Sequence, residues 1–386
     1  MGGSGLLPVV RGAETGQSGV NALKRKILKL IEAQGPLTVA QYMAIALGDP
    51  EHGYYMRRDP LGRDFVTAPE VSQIFGELIG LFFLQAWEDR GRPKNFQLVE
   101  LGPGRGTLMA DMMRAATKVR PEFVHGAQIT LLETSPALRA KQAETLAALP
   151  VNWVSRFDDV PSSGPLFLIA NEFFDALPIH QFVKSERGWH ERMVTRDGDE
   201  LRFALTPDAV PPSVIPESVR NAPKGSIIEV NPGATEIVRR IASRIANAGG
   251  VALIIDYGHT QTIDHGPGKP FAGETLQAVT NNTFTDPLAE PGEADLTAHV
   301  DFGALALATA DREAYARPIT VQGAFLEALG IHARANRLKR DNPERTSEID
   351  SAVERLTSPQ QMGTLFKVLA IYEGEDQVPP PGFDDY

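Results

Sequence analysis

Apolar residues recur at helical spacing along the first part of the chain. In Asn21–Gln34, Leu23, Ile27, Leu30 and Ile31 share one face and lysines occupy the other. Gly35-Pro36 stops that helix, and Thr38 is placed to cap a second one running through Leu47. Ser72 to Arg90 predicts a longer helix with Ile74, Leu78, Leu81 and Phe82 facing inward. From Phe96 the pattern changes to short apolar runs alternating with helices. Strands are predicted at Phe96–Leu101, Gln128–Glu133, Val151–Val154 and Leu166–Ala170, with one helix ending at Val119 and another over Pro136–Ala148. That order predicts an α/β fold with a parallel sheet covered on both faces.

The alternation then breaks. Gln181–Lys184, Trp189–Thr195 and Leu201–Ala204 predict an antiparallel meander with turns at Arg187-Gly188 and Asp197-Gly198. A polar, Pro-rich segment follows, then a helix over Asn231–Ala248 and a buried strand over Gly250–Asp256. His259–Ala298 shows little periodicity and many Gly and Pro residues, and structureless loops of that length are usually functional. Helices over Phe302–Ala314, Gln322–Ala328 and Glu344–Leu356 and a strand over Leu365–Ile371 complete the pattern. The expected organisation is a mobile tail (1–20), a helical extension (21–94), and a core (95–260 and 300–374) that includes the meander. An insertion loop over the cleft (261–299) and a short tail (375–386) complete it.

Composition narrows the function. The 386 residues hold 38 Lys and Arg against 49 Asp and Glu, a formal charge of −11. An acidic surface repels phosphate backbones, so nucleic acid is not an expected partner. Hydrophobic residues at 42% and charged residues at 23% suit a globular protein with a large core. The absence of cysteine removes disulfides, thiolate nucleophiles and Cys-based metal centres, and no metal site is expected. No apolar run approaches the ~20 residues needed to span a bilayer, so membrane insertion is not expected. The N-terminus has neither a secretory nor a mitochondrial leader pattern, which points to a bacterial cytoplasm, with the mitochondrial matrix the alternative for a eukaryotic source.

The most informative segment is VELGPGRGTL, Val99–Leu108. A strand ending in Gly102-Pro103-Gly104-Arg105-Gly106 and opening a helix at Thr107 is built for close backbone approach to a ligand. A Walker loop would end in Gly-Lys-Ser/Thr, and a dinucleotide fingerprint would read GxGxxG; neither is present. Glu100, just before the loop, would repel a pyrophosphate but attract a cation, which disfavours NAD. S-adenosylmethionine carries a sulfonium and an ammonium and no phosphate. Glu133, at the tip of the next strand, is placed to accept two ribose hydroxyls. Glu100, Gly102, Gly104, Gly106, Thr107 and Glu133 are therefore the candidate cofactor residues.

A second candidate site follows the fourth strand in ANEFFDALP, Ala170–Pro178. Ligands of open parallel sheets bind beyond the carboxyl ends of the strands, near the topological switch. Asn171, Glu172 and Asp175 are placed there to bind the N–H groups of a nitrogen nucleophile, with Phe173 and Phe174 excluding water. Helix capping by Asn171 and Glu172, with the phenylalanines packed in the core, is the alternative. Asp64 is a candidate to close the cleft from above, or a plain turn acid. Tyr257 is a candidate cleft residue, or a packed tyrosine.

Six segments occur in order: DPEHGYY (49–55), DFVTAPEVSQIFGE (64–77), ELGPGRGTL (100–108), ANEFFDALP (170–178), IIDYGH (254–259) and ADLTAHVDF (294–302), with QMGTLFKVLA (361–370) near the end. Together they resemble the MidA-like family, the bacterial and mitochondrial methyltransferases that include the complex I assembly-factor arginine methyltransferase. The resemblance implies a seven-stranded class I, Rossmann-like methyltransferase fold with a helical N-terminal extension and substrate-cleft insertions. It implies S-adenosylmethionine as methyl donor and protein arginine methylation, on a partner such as a respiratory complex I subunit. An S-adenosylmethionine-binding assembly chaperone and a small-molecule methyltransferase are the alternatives. The family also tends to carry a His ahead of the Asp-Pro of the later loop, where this chain has Asn281-Asn282 before Asp286-Pro287. If that His assists proton removal, Asn282 lacks the means to do so.

Overall fold

A computed structural model describes residues 21–57, 66–260, 273–374 and 378–383. The chain opens with α1 (Ala22–Gln34), β1 (Leu37–Thr38) and α2 (Val39–Gly48). Thr38 caps α2 through a reciprocal pair with Gln41, satisfying two end N–H groups that the helix cannot use itself. The single turns α3 (Tyr54–Arg57) and α4 (Ala68–Val71) lead into α5 (Gln73–Asp89), whose N-cap is Ser72.

The alternating region follows as β2 (Phe96–Leu101), α6 (Thr107–Val119), α7 (Pro121–Gly126), β3 (Ala127–Leu132), α8 (Pro136–Thr145), β4 (Val151–Val154) and β5 (Leu166–Asn171). Then come β6 (His180–Ser185), β7 (Gly188–Asp197), β8 (Glu200–Leu205), β9 (Ile227–Val230), α9 (Pro232–Ala248) and β10 (Gly250–His259). The remainder holds β11 (Gln277–Thr280), β12 (Thr283–Thr285), β13 (Asp295–Thr297), β14 (Val300–Asp301), α10 (Phe302–Leu307), β15 (Ala314–Ala316) and β16 (Thr320–Val321). It closes with α11 (Gln322–Ala328), α12 (Ile331–Asp341), α13 (Thr346–Thr357), α14 (Met362–Leu365) and β17 (Phe366–Glu373).

The main sheet runs β15-β17-β10-β5-β2-β3-β4, with β14 on β10 and β16 on β17. From β4 to β10 the neighbours are parallel, whereas β17 is antiparallel to β10. Strands β2 and β5 are adjacent, and the chain winds outward from them in opposite directions, so the switch crevice lies at their carboxyl ends. β5 is buried along its whole length, as expected of a strand covered on both faces. One face packs on α5, α6 and the α11–α13 group, through Phe83, Phe96, Met109 and Phe325 among others. The other packs on α9 and α10, through Val238, Ile241 and Phe302.

Four expectations need correction. The main sheet has nine strands among the described residues, of which seven lie on the continuous path; β14 and β16 are two-residue pairings that a partner strand creates. The meander does not extend this sheet. It joins β1 and β9 in a separate five-stranded sheet, against which α1 and α2 bury Leu23, Ile27, Val39 and Tyr42. The stretch read as structureless contains the three-stranded sheet β12-β11-β13, and its Leu276, Ala278, Leu288 and Leu296 pack into the cluster beneath α1 and α2. It does not cover the cleft among the described residues. The helix predicted over 302–314 stops at Leu307, and α12 replaces what the apolar pattern left unread.

Asn281 and Asn282 form the two-residue loop between β11 and β12, with φ of 48° and 57°. Both sit in the left-handed region that this tight turn demands and that Asn tolerates better than most residues. The two residues are exposed at the hairpin tip and not on the cleft wall, so the departure at Asn282 removes no group from the site.

Candidate active site

A cleft of about 670 Å³ opens at the carboxyl ends of β2 and β5, where the winding direction reverses. Its walls come from the loop after β2, the tips of β3 and β4, the turn after β5, and the start of α9; α2, α3 and α4 close one side.

The β2–α6 loop is held in a backbone shape only glycine adopts freely. Gly102, Gly104 and Gly106 have φ of 64°, 54° and 81°. The Gly102 N–H donates to the Leu132 carbonyl at 3.1 Å, tying the loop to β3. A Cβ on Gly102 would lie 3.0 Å from Phe173. Gly102 and Gly104 line the cleft, whereas Gly106 starts α6 against Leu146 and the Gln142 backbone, behind the wall. Thr107 lines the cleft and its hydroxyl donates to Glu70 at 2.7 Å; Arg105 stands 3.8 Å from the same carboxylate.

Glu100 and Glu133 both reach the cleft from buried positions. Glu100 Oε2 has no hydrogen-bond partner among the described residues, and burial pushes its carboxyl up to about 8. Burial raises Glu133 as well, against hydrogen bonds from the Ser135 and Thr134 N–H groups, each 2.8 Å long, and from Gln142 at 3.2 Å.

Gln142 is a site residue that the sequence reading passed over. It is fully buried, four residues after Leu138 on the inward face of α8. A wholly polar side chain at a core position was the available signal. Its amide donates to the Gly104 carbonyl at 2.8 Å and to Glu133, and its oxygen accepts from the Trp153 indole at 2.9 Å. Replacing Gln142 with Leu strands all three partners, so we expect a stability loss of roughly 1–3 kcal/mol. A fall in affinity for S-adenosylhomocysteine should accompany it, measured by thermal unfolding and by calorimetry.

At the end of β5, Asn171 and the following Glu172 line the cleft. Glu172 has φ of 51°, a left-handed conformation that is uncommon outside glycine. Its Oε1 accepts from the Ala68 N–H at 3.1 Å and from Asn171 Nδ2 at 3.2 Å, so α4 and β5 grip one carboxylate oxygen between them. Asn171 Oδ1 is buried with no partner among the described residues. Burial, helped by the nearby Asp175 charge, pushes Glu172 up to about 8 against the Ala68 hydrogen bond. Phe173 lines the cleft beneath Gly102 and meets Phe174 edge-on at 5.3 Å.

The other predicted residues lie elsewhere. Phe174 is core, packed under the sheet. Asp175 is buried below the cleft wall, raised to about 6 by burial and hydrogen-bonded by the Tyr257 hydroxyl. Tyr257 packs edge-on against His299 and Phe366 at 5.5 and 5.7 Å and is off the wall. The left-handed turn at Glu172 is the reason: it breaks the strand's alternation and rotates Asp175 inward. Asp64 lies outside the described residues. Glu70, Tyr55, Phe157 and Asp158 line the cleft without having been singled out. Tyr55 donates to the buried Asp295 at 2.7 Å.

A glycine loop in left-handed geometry, a buried carboxylate beside it with one oxygen unpartnered among the described residues, and a second acid at the tip of the adjacent strand form a cradle for a cationic nucleoside. On this doubly wound sheet they define an S-adenosylmethionine-dependent methyltransferase. The chain belongs to the family described as S-adenosyl-L-methionine-dependent methyltransferase, which it matches over residues 78–319. It is 38% identical over 389 residues to a Mus musculus protein named "Protein arginine methyltransferase NDUFAF7, mitochondrial", covering 93% of this chain and 86% of that one. The Homo sapiens protein of that name is 36% identical over 390 residues, covering 93% and 85%. A Burkholderia thailandensis protein bound to S-adenosyl-homocysteine superposes with a TM-score of 0.78 at 28% identity, covering 94% of this chain and 93% of that one. The resemblance to MidA-like methyltransferases read from the ordered motifs is thereby met, and S-adenosylmethionine is the methyl donor.

Proposed function

We propose that this enzyme methylates an arginine side chain of a protein substrate, with a respiratory complex I subunit as the partner. The observation that carries the reading is Glu172: a carboxylate on the cleft wall with one oxygen gripped by Ala68 and Asn171 and the other unengaged by any hydrogen bond of the described residues. The compartment that follows is that of the substrate's assembly, a bacterial cytoplasm or a mitochondrial matrix. Relatives at 36–38% identity are named mitochondrial protein arginine methyltransferases, which supports the arginine assignment.

The residues present fit the cofactor. The backbone of Gly102 and Gly104 would receive its amino-acid portion, Glu100 its ammonium, and Glu133 its ribose. Phe157 and Asp158 line the same cleft and suit an apolar base edge and an exocyclic amine. When bound, the cofactor supplies an electrophilic methyl group on a sulfonium. The chain's own groups do the rest. A guanidinium enters charged, with its lone pairs delocalised. The free oxygen of a carboxylate facing it accepts from a guanidinium N–H and leaves electron density on the remaining nitrogen. One nitrogen must give up a proton as it gains carbon, and Glu172 is placed to accept it. Burial raises the Glu172 carboxyl to about 8, so it is mostly protonated in the free protein at pH 7; an incoming guanidinium cation favours its ionised form, which can then take the proton. Phe173 shields the floor from water.

The experiment that tests the substrate class is mass spectrometry of proteomes from cells with and without this protein. A mass increment on arginine peptides, present only with the enzyme, is the expected result; increments confined to small metabolites would remove the protein-arginine reading.

Glu100 makes a separate prediction. With its carboxyl raised to about 8, it is mostly protonated in the free protein at pH 7. A cation bound beside it favours the ionised form, so binding S-adenosylmethionine should release about one proton. Calorimetry in two buffers of different ionisation enthalpy reads this directly, and Glu100→Gln should abolish it. The stability linkage has a definite sign. Glu100 and Glu172 hold protons above their unfolded range, so their contribution is present below about pH 4.5 and is lost as pH rises through about 8.

A further inference from the structure

The turn after β5 is built by one carboxylate. The Glu172 N–H donates to the Ile255 carbonyl at 2.9 Å, the last rung between β5 and β10. The next three N–H groups, of Phe173, Phe174 and Asp175, turn onto Oδ2 of Asp256 at 3.2, 2.9 and 3.3 Å. Asp256 Oδ1 accepts from the Tyr257 N–H at 2.9 Å. Asp256 is fully buried and does not line the cleft. Successive N–H groups converging on one acceptor form a nest, built here on a turn that opens with a residue in the left-handed region; burial and the Asp175 and Glu172 charges push the Asp256 carboxyl itself well above the usual carboxylate range. Here that residue is Glu172, whose φ of 51° carries a conformational cost for any side chain with a Cβ.

We infer that Asp256 is a positioning residue for the methyl transfer: by collecting the N–H groups of residues 173–175 it holds Glu172 in its left-handed conformation and aims the Glu172 carboxylate into the cleft. The inference rests on Glu172 being the group that meets the substrate. Without the Asp256 acceptor, three N–H groups lose their partner, and the strained backbone at Glu172 is held only by its Ile255, Ala68 and Asn171 hydrogen bonds. Other charged groups near Asp256 do not replace it. Asp175 and Glu172 carry like charge, and Lys367, opposite Asp256 on β17, spends its ammonium on the carbonyls of Gly258, Thr364 and Leu365 at 2.9, 2.9 and 3.4 Å. Arg355 bears on Glu172 from α13.

The test uses the full chain and five variants: Asp256→Ala, Glu172→Gln, Glu172→Gly, and Asp256→Ala combined with each of the last two. Methyl transfer is read as label from methyl-tritiated S-adenosylmethionine entering arginine in a lysate of cells that lack the protein. Affinity is read with S-adenosylhomocysteine by calorimetry. Asp256→Ala, which removes the acceptor, should keep affinity within about twofold and lower transfer by about 10²-fold, the scale of a misplacement near 1 Å. Because Asp256 acts through Glu172, adding Asp256→Ala to Glu172→Gln should lower transfer little further. Undiminished transfer in Asp256→Ala, or losses that multiply in the double variant, would overturn the inference. A folding readout stands beside these. Glycine adopts the left-handed turn freely, so Asp256→Ala should depress the melting temperature less in Glu172→Gly than in the parent, and equal depressions count against pinning. If Glu172→Gln alone retains full transfer, the proposed role of Glu172 fails, while the melting comparison still decides whether Asp256 sets the turn.

Discussion

Glu172→Gln should lower methyl transfer by about 10²–10³-fold, the range found when one preorganised group is removed from a reacting centre. Affinity for S-adenosylhomocysteine should stay within about twofold. The contrast follows from how the two carboxylate oxygens are used. Oε1 accepts from Ala68 and Asn171, and a glutamine oxygen can take over both bonds. The other oxygen is the one the substrate would meet, and there an amide presents donors to a guanidinium that has only donors to offer. The change therefore preserves the turn and the α4 contact while reversing the polarity of the recognition surface. It also removes the group able to take the departing proton. Calorimetry and the tritium transfer assay, run on the same preparation, separate the two effects. Transfer at the parent rate would take Glu172 out of the mechanism, and a parallel loss of cofactor affinity would mean that the substitution had disturbed the cradle instead.

Much of this architecture is local and so was visible in the amino-acid order. The Thr38 cap, the α6 end at Val119 and the α9 start at Asn231 follow from neighbouring residues, and the structure places them where the pattern does. The glycine loop was legible because three glycines in five residues serve no purpose in an ordinary strand or helix. The nine-stranded count was not, because β14 and β16 are two residues each and exist only through pairing with β10 and β17. The region 273–299 resisted reading for a similar reason: its strands are three or four residues long, too short for alternation to show.

At the site, residue type proved a better guide than facing direction. Glu172 and Asp175 both looked like cleft acids after a buried strand, but a single left-handed residue turns one toward the cleft and the other beneath it. Asp256 carried the same signal as Glu172, an acid at the end of an apolar strand, yet its neighbour Tyr257 drew the attention. Gln142 could have been found as the one polar residue on the inner face of α8. No sequence pattern reveals that it joins the glycine loop to Glu133, since that depends on how α8 lies across the tips of β2 and β3.

Gly102→Val should abolish measurable cofactor binding, with affinity for S-adenosylhomocysteine down at least about 10²-fold, or roughly 2.8 kcal/mol at 1.4 kcal/mol per decade. Two effects add. A β-branched residue at φ of 64° pays a strain of roughly 1–2 kcal/mol or more. Its Cβ would also stand 3.0 Å from the Phe173 ring before the γ-methyls are counted, so either the loop or the cleft floor must move. The loop is tied to β3 through the Gly102 N–H and the Leu132 carbonyl, which leaves Phe173 to be displaced into the space the ligand needs. Strain alone predicts lower stability without a specific loss of binding, and Gly35 provides the control. It has φ of 91° at the end of α1, and a Cβ there meets nothing within 4 Å. Gly35→Val should therefore lose stability by a similar strain, lowering the melting temperature by a few degrees, yet bind S-adenosylhomocysteine as the parent does. If the two variants lose affinity equally, general destabilisation explains both, and the β2–α6 loop has no special claim to the ligand. If Gly102→Val alone fails to bind while remaining folded, the close approach of backbone to cofactor at this turn is the property that the glycine preserves.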